Sequence, residues 1–234
     1  MYTHDPRDDQ NVDIEEINSR PRYGMHVVLA ADRGFRSGLV PDAAALADQI
    51  DSCGVTIRGF YDVAGFTADA DLMVWMTCDE PAPLQAAYRT IQRSALGDYL
   101  TPVWSVVGVH RPAEFNNFHI PACFGGVQPR EWLVVYPFVR SLDWYYLPAE
   151  KRAEMLKEHG MAARPYPDVK GSTLSGFALG DYEWILSFEA DELHRLTDSM
   201  RHQRAAEARL HVREETPFFT GQRVGLDEWL ARRA

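Results

Sequence analysis

The feature that most constrains the fold is a repeated order of strand-like and helix-like segments, β-α-β-β-α-β, present once in each half of the chain. In the first half, apolar periodicity and turn residues predict Met25–Ala31, Pro41–Ser52, Thr56–Val63, Asp71–Cys78, Pro83–Leu96 and Thr101–His110. In the second half they predict Glu131–Ser141, Pro148–Ala163, Thr173–Leu179, Tyr182–Phe188, Asp191–Leu210 and Val212–Phe219. This order is that of a ferredoxin-like sheet with helices on one face, so we predict an α+β chain of two such halves.

The repeat divides the chain into four parts. Residues 1–23 are dense in Asp and Glu and form an N-terminal arm that is either disordered or packed on a neighbouring subunit. Residues 24–112 and 131–234 are the two ferredoxin-like halves. Residues 113–130 connect them and are rich in Asn, Phe, Pro and Gly. We predict that this connection is a loop over a cavity enclosed between the two sheets.

The charge balance and the cysteine usage exclude several classes of protein. The chain has 24 Lys and Arg against 34 Asp and Glu, a net charge of −10, whereas nucleic acids and anionic membranes attract positive surfaces. No apolar stretch approaches the roughly 20 residues of a transmembrane helix, and Met1–Gln10 is too polar for a secretory signal. Its 3 cysteines are widely spaced and indicate a reducing compartment. We therefore predict a cytoplasmic protein without a membrane span or a nucleic-acid partner.

Common catalytic signatures are absent, since the sequence contains no GxGxxG, GxxxxGK[ST], HExxH or GxSxG motif. The first candidate residue is instead His119, which lies in the apolar, proline-bounded stretch Asn116–Pro121. A histidine titrates near neutrality and can take a proton from a bound substrate. The alternative is a loop histidine that is hydrogen-bonded to the backbone.

A second group of candidates lies on the first strand of the second half. Side chains alternate along a strand, so Tyr136, Phe138 and Arg140 share one face, and Trp144 follows shortly after. Arginine suits carboxylates through its two-pronged donor geometry, and tyrosine and tryptophan can be oxidised by one electron. The alternative is an amphipathic strand whose aromatic side chains belong to the core.

The third candidate is His159, which shares a helix face with Met155 and Leu156 and precedes Gly160, where we expect the helix to end. A neutral imidazole there can bind a metal, while a protonated one would stabilise the helix C-terminus. A single histidine suffices for a porphyrin iron, because the macrocycle supplies the other four nitrogens. Heme, in an aromatic-lined cavity between the sheets, is therefore the most economical cofactor.

These places occur together with four specific motifs, which are Gly59–Phe66 (GFYDVAGF), Tyr136–Arg140 (YPFVR), Leu156–Gly160 (LKEHG) and Pro217–Gly221 (PFFTG). In this order and spacing they resemble the chlorite dismutase superfamily and, within it, the actinobacterial-type coproheme decarboxylases (hydrogen-peroxide-dependent heme synthases). The resemblance implies a dimeric α+β barrel of the two halves, assembled as a homopentamer. It also implies that the second half binds iron-coproporphyrin III (coproheme), which is both cofactor and substrate. Hydrogen peroxide then converts two propionates to vinyl groups, giving heme b.

The same resemblance implies roles for individual residues. It makes His159 the proximal iron ligand and Tyr136 the radical-forming tyrosine beside the first propionate to react. It makes His119 the group that deprotonates bound peroxide.

The remaining implied roles concern the propionates. Arg140 and, on a weaker match, Arg209 would pair with propionates, and Trp144 would lie near the second reactive one. Two alternatives are a chlorite-splitting or peroxidase-like heme enzyme and a non-catalytic heme carrier or sensor; a heme-free barrel of the monooxygenase type is a third. The absence of arginine between Pro165 and His194 weighs against chlorite chemistry, because chlorite-splitting members use a distal arginine shortly after the proximal histidine.

Overall fold

A computed structural model of the chain describes residues 12–40, 45–116 and 118–234. Its helices are α1 (Ile14–Ser19), α2 (Ala45–Asp51), α3 (Pro81–Arg93), α4 (Ala149–Ala163), α5 (Leu193–Gln203) and α6 (Leu226–Ala231). Its strands are β1 (Arg22–Ala31), β2 (Thr56–Asp62), β3 (Leu72–Cys78), β4 (Leu100–His110), β5 (Trp132–Arg140), β6 (Lys170–Ser175), β7 (Trp184–Ala190), β8 (Val212–Glu214) and β9 (Phe219–Val224). Short 3₁₀ turns occupy Ser37–Leu39, Gly97–Tyr99, Trp144–Tyr146 and Glu207–His211.

The strands form a closed antiparallel barrel made of two sheets with the same internal order. The first half has the order β4-β1-β3-β2 and the second half β9-β5-β7-β6. Their edges pair, with Phe60 opposite Val224 between β2 and β9, and Val109 opposite Ser175 between β4 and β6. The short strand β8 adds to the far end of β5. The predicted fold class, two ferredoxin-like halves forming a dimeric α+β barrel, is confirmed.

Tightly packed side chains fill the interior of the barrel. Val28, Trp75, Leu133, Val135 and Ile185 point inward from both halves, and each is at most 1% exposed. Side chains alternate along each strand, so the neighbouring residues of the same strands face the helices outside.

At the seam between the halves, two glycines of neighbouring strands make room for a leucine. Gly24 and Gly108 are opposite each other in the β1–β4 pair. An added Cβ would lie 2.7 Å from Leu174 Cδ1 at Gly24 and 2.5 Å from Leu174 Cβ at Gly108. A larger residue at either position would therefore push β6 away from β4.

The outer helices cover the two sheets unequally. On the first half, α2, α3 and α6 bury Ile50, Leu84, Ile91 and Trp229 against the sheet. On the second half, α4 and α5 pack less closely against each other than α2 and α3 do. A cavity remains between these two helices and the second sheet.

Several predicted boundaries are wrong for local reasons. The final strand Val212–Phe219 is two strands, β8 and β9, separated by the cis Thr216–Pro217 bond. The helix expected over Asp191–Leu210 ends at Gln203 and gives way to a 3₁₀ turn. The strand expected to reach Leu179 ends at Ser175, because the chain turns there.

Two N-terminal predictions fall partly outside the described residues. These are residues 1–11 of the arm and residues 41–44 of the helix predicted over Pro41–Ser52. The described part of that helix is α2, which buries Leu46 and Ile50. From residue 12 the arm packs on its own chain. Asp13 caps α1 by accepting from Glu15 N, and Ile17 is buried.

Candidate active site

A cavity of about 570 Å³ lies between the outer face of the second sheet and helices α4 and α5. Val134, Tyr136 and Phe138 from β5 line it, together with Leu186 and Phe188 from β7. The predicted location, between the two sheets, is wrong. The inward faces of β5 and β7 fill the barrel, so the face that carries Tyr136 and Arg140 is turned toward the helices.

The segment that connects the two halves runs along one side of this cavity. Phe115, His119 and Pro121 of this segment line the cavity. The segment is then tied to β6, because Ala122 N donates to Gly171 O at 3.0 Å. The connection thus flanks a cavity that belongs to the second half.

Tyr136 lies deep in the wall, on β5. Its side chain is 4% exposed, and its ring stacks on Phe218 with the centroids 4.5 Å apart. Its Oη donates to Sδ of Met200 at 3.9 Å. Burial raises the pKa of the phenol, so Tyr136 is neutral at physiological pH.

Arg140 and Trp144 form a stacked pair at one end of the same strand. The central guanidinium carbon lies 4.1 Å from the centroid of the Trp144 ring and 4.8 Å from that of Phe138. Nη1 donates to Ala208 O at 3.3 Å. Burial lowers the pKa of Arg140 to about 10, which still leaves the group protonated at neutral pH. Among the described residues no carboxylate forms an ion pair with this guanidinium; the carboxylate of Glu183 accepts instead from the backbone N of Arg140 at 2.8 Å, and its charge offsets only part of the lowering of the pKa.

His159 faces the cavity from α4 and is half-buried. Burial and the positive charge of Arg140 lower the pKa of its imidazole, so the neutral form prevails at pH 7. The sequence suggested two ends for this helix, Gly160 and Ala163, and the second is correct, since α4 continues to Ala163. A neutral imidazole inside the helix does not act as a cation at its C-terminus; it offers a nitrogen lone pair to the cavity.

His119 is exposed at the side of the cavity formed by the connecting segment. Neighbouring atoms displace enough water to lower the pKa of its imidazole. Its backbone N donates to Asn116 O at 3.0 Å, while its ring has no hydrogen-bond partner within the described residues. The alternative of a ring fixed to the backbone is therefore not supported there.

The cavity wall carries more cations than the sequence indicated. The lining residues include the guanidinium groups of Arg111, Arg140, Arg204 and Arg209. Arg209 Nη2 lies 3.3 Å from Glu215 Oε2, and Arg204 pairs with the same oxygen. Arg209 Nη1 is buried without a hydrogen-bond partner in the described residues. A buried donor of this kind is costly unless a ligand supplies an acceptor.

All six residues singled out from the sequence line this one cavity. They are His119, Tyr136, Arg140, Trp144, His159 and Arg209. The sequence interpretation missed Arg111, Met200 and Arg204. Met200 and Arg204 are one helical turn apart and continue the apolar face that begins at Leu196, so the period of α5 was a usable signal. For Arg111, at the end of a strand, no comparable pattern exists.

Among the described residues, no group of three or more His, Cys, Asp or Glu side chains could hold a bare metal ion. None of the helices there is long and apolar enough to cross a membrane.

A family model described as chlorite dismutase matches residues 36–224. The chain belongs to the chlorite dismutase family. The resemblance inferred from the four motifs is thereby confirmed. A relative named coproheme decarboxylase, from Mycolicibacterium smegmatis, is 51% identical over 226 residues, covering 94% of this chain and 98% of the relative. A second coproheme decarboxylase, from Staphylococcus saprophyticus, is 25% identical over 186 residues, covering 73% of this chain and 74% of its own.

Solved structures of the family share the fold. A mutant chlorite dismutase from Candidatus Nitrospira defluvii superposes with a TM-score of 0.80 at 22% identity, covering 91% of this chain and 95% of its own. The imidazole complex of the chlorite dismutase from the same organism gives 0.79 at 22% identity, covering 90% and 94%. At this identity the likeness concerns the barrel and its helices, not the chemistry of the cavity.

Proposed function

We propose that this protein is a coproheme decarboxylase, which uses hydrogen peroxide to convert two propionates of iron-coproporphyrin III into vinyl groups and so makes heme b. The observation that carries the proposal is that one cavity brings together a neutral histidine, a buried neutral phenol and an arginine without a carboxylate partner. The high identity to a relative named coproheme decarboxylase supports the same reaction.

The residues of the cavity fit an iron porphyrin with four carboxylates. Aromatic and aliphatic side chains form its walls, and four guanidinium groups lie among them. These four guanidinium groups lie beside only two carboxylates, those of Glu114 and Glu215, so the strong negative charge of the whole chain does not describe this surface. Nη1 of Arg209 is a buried hydrogen-bond donor for which the described residues supply no acceptor. A propionate oxygen would satisfy it.

His159 would bind the iron, since its neutral imidazole faces the cavity from α4. The nearby positive charge of Arg140 helps keep the ring unprotonated. When bound, the iron porphyrin supplies the oxidising chemistry together with peroxide.

His119 would take a proton from hydrogen peroxide. Its lowered pKa keeps the ring in the neutral, proton-accepting form at pH 7. Its exposure also lets the ring return the proton to solvent or pass it to departing water.

Tyr136 would give up an electron and its hydroxyl proton, and the resulting radical would remove a hydrogen atom from the β-carbon of a propionate. For each group the overall balance is one propionic acid and one peroxide yielding one vinyl group, one carbon dioxide and two waters. Stacking on Phe218 holds the phenol in place. Arg140, stacked on Trp144, would hold a propionate by charge-assisted hydrogen bonds.

The resemblance extends the proposal to a homopentamer in the cytoplasm. The three cysteines, all free, suit a reducing compartment. Leu142, Tyr146 and Leu210 are 74%, 90% and 76% exposed, and an assembly would have apolar surface of this kind to cover. Light scattering on the purified protein would measure the subunit number.

The deciding experiment is mass spectrometry during titration of the coproheme-loaded protein with hydrogen peroxide. We expect a one-propionate intermediate and then heme b, with one peroxide consumed per decarboxylation. Porphyrin that keeps all its propionates would contradict the proposal and indicate a heme carrier or sensor. Chlorite added in parallel should release no dioxygen; rapid release would indicate a chlorite-splitting enzyme instead.

A further inference from the structure

The hydroxyl of Tyr136 has a sulfur atom as its neighbour. Oη donates to Sδ of Met200 at 3.9 Å, and within the described part of the chain it has no second hydrogen-bond partner. Met200 projects from α5 into the lining of the cavity and is partly exposed. A thioether is a weak acceptor, so α5 restrains the phenol only loosely.

Met200 also differs from the other described methionines in where it lies. Met25, Met73, Met76 and Met155 are each at most 5% exposed. Met161 is 48% exposed but does not line the cavity. Among the described methionines, Met200 is therefore the one that faces the space in which peroxide would be consumed.

We propose that Met200 is a modification site, at which hydrogen peroxide oxidises the thioether to a sulfoxide that then restrains Tyr136. The inference rests on the proposed function in two respects, namely that peroxide enters this cavity and that Tyr136 reacts there. The modification itself requires only the cavity and the oxidant.

The reaction is complete with these two partners. A lone pair on Sδ attacks one peroxide oxygen, so an S–O bond forms while the O–O bond breaks. The second oxygen leaves as water after it takes up the proton of the first. The sulfur loses two electrons and the peroxide gains two, giving methionine sulfoxide.

The sulfoxide changes the partner of the reactive phenol. The sulfoxide oxygen replaces the thioether sulfur as the acceptor beside Oη. The Tyr136 hydroxyl donates to this oxygen in a much stronger hydrogen bond. The phenol is then fixed toward α5 and turned away from a propionate. Excess peroxide would thus slow the first decarboxylation, and a methionine sulfoxide reductase would restore it.

The first test uses the porphyrin-free protein, so it does not depend on decarboxylation. The protein is exposed to increasing hydrogen peroxide, and its peptides are analysed by mass spectrometry. We expect sulfoxide at Met200 and at the exposed Met161, while the four buried methionines stay reduced. Oxidation of Met161 with Met200 left reduced would overturn the proposal.

The second test measures the consequence. Pre-oxidised protein is freed of peroxide, loaded with coproheme and assayed for its first decarboxylation, which we expect to be about tenfold slower than before oxidation, as for one strong added hydrogen bond. Met161→Leu should slow to the same extent as wild type. Pre-oxidation should not lower the rate of the first decarboxylation in Met200→Leu. Met200→Gln carries a permanent amide oxygen, so its first decarboxylation should be slow even without pre-oxidation.

The outcomes separate the two proposals. Equal slowing of wild type and Met200→Leu after pre-oxidation would overturn the role of Met200 while leaving the decarboxylase intact. Wild-type protein that fails to decarboxylate even before oxidation would instead overturn the proposed function.

Discussion

The guanidinium of Arg140 lies over the indole of Trp144, with its central carbon 4.1 Å from the ring centroid, at one end of the cavity. The contact joins the last residue of β5 to the 3₁₀ turn that follows it. It leaves the charge of Arg140 without a carboxylate partner among the described residues. Under the proposed function, this guanidinium would pair with a propionate.

We expect Arg140→Lys to weaken binding of coproheme. Lysine keeps the charge but loses both the stack on Trp144 and the two-pronged geometry for a carboxylate. Because a hydrogen bond to a charged group is worth about 1.5–3 kcal/mol, losing the two-pronged contact should raise the dissociation constant about tenfold or more, as measured by quenching of tryptophan fluorescence. The control is Arg195→Lys, which alters a guanidinium paired with Asp168 away from the cavity. Equal binding by the two variants would contradict the role of Arg140.

His159→Ala should change the electronic spectrum of bound coproheme, because it removes the nitrogen that we propose as iron ligand. We expect a shifted Soret band and weaker binding, recorded by absorption titration. His194→Ala is the matched control, since His194 is exposed on α5 and does not line the cavity. A Soret band that is the same in both variants would exclude His159 as the ligand.

The rate of peroxide activation should depend on pH through His119. Its pKa lies below the ordinary value, so the neutral base persists somewhat below pH 6.5 and the rate falls only when the pH drops through that lowered pKa. Stopped-flow measurements with wild type and His119→Ala would separate this effect from others. His119→Ala should activate peroxide slowly at neutral pH, and its rate should not show this fall at low pH. The same fall in both proteins would assign the titration to another group.

The free energy of unfolding should depend strongly on an ion pair inside the barrel. Arg58 and Glu189, from different halves, are 7% and 0% exposed, and Arg58 Nη2 lies 2.6 Å from Glu189 Oε2. Glu189→Ala would leave a buried cation without its partner, which costs about 3–5 kcal/mol. Asp168→Ala, which breaks the more exposed pair with Arg195, should cost less than about 1 kcal/mol. Urea unfolding of both variants compares the two, and similar losses would show that the barrel tolerates the unpaired charge.

The order of strands and helices was predictable because local apolar periods and turn residues encode it. The position of the cavity was not. Both faces of β5 are buried, with Val134 and Tyr136 on one side and Leu133 and Val135 on the other, so the strand pattern shows which residues share a face but not what that face meets. Closure of the barrel decides this, and it depends on pairings between distant strands such as β2 with β9.

The site residues were predictable to different degrees. Tyr136 and Arg140 follow from alternation on one strand, and the positions of Met200 and Arg204 follow from the period of one helix once that helix is known to face a cavity. The approach of Arg204 and Arg209 to the same Glu215 oxygen depends on the chain path between α5 and β9. No local pattern encodes that path.

Tyr136→Phe separates binding from chemistry most directly. The substitution removes one oxygen but keeps the ring that stacks on Phe218, so the cavity wall is preserved. Coproheme should bind with about the same affinity, because the buried neutral hydroxyl contacts only a weak acceptor within the described residues.

Without the hydroxyl, the ring has no proton to release when it loses an electron, and it cannot form the neutral radical that would attack the propionate. The first decarboxylation should therefore stop, and mass spectrometry should find all four propionates after addition of peroxide. Tyr61→Phe is the matched control. It removes another buried hydroxyl, one that lies inside the barrel and has no hydrogen-bond partner among the described residues. The Tyr61→Phe variant should decarboxylate normally, because the Tyr61 side chain lies inside the barrel and the second sheet separates it from the cavity. Normal turnover by Tyr136→Phe would remove the phenol from the reaction, and equal loss in both variants would point to damage to the barrel rather than to the chemistry.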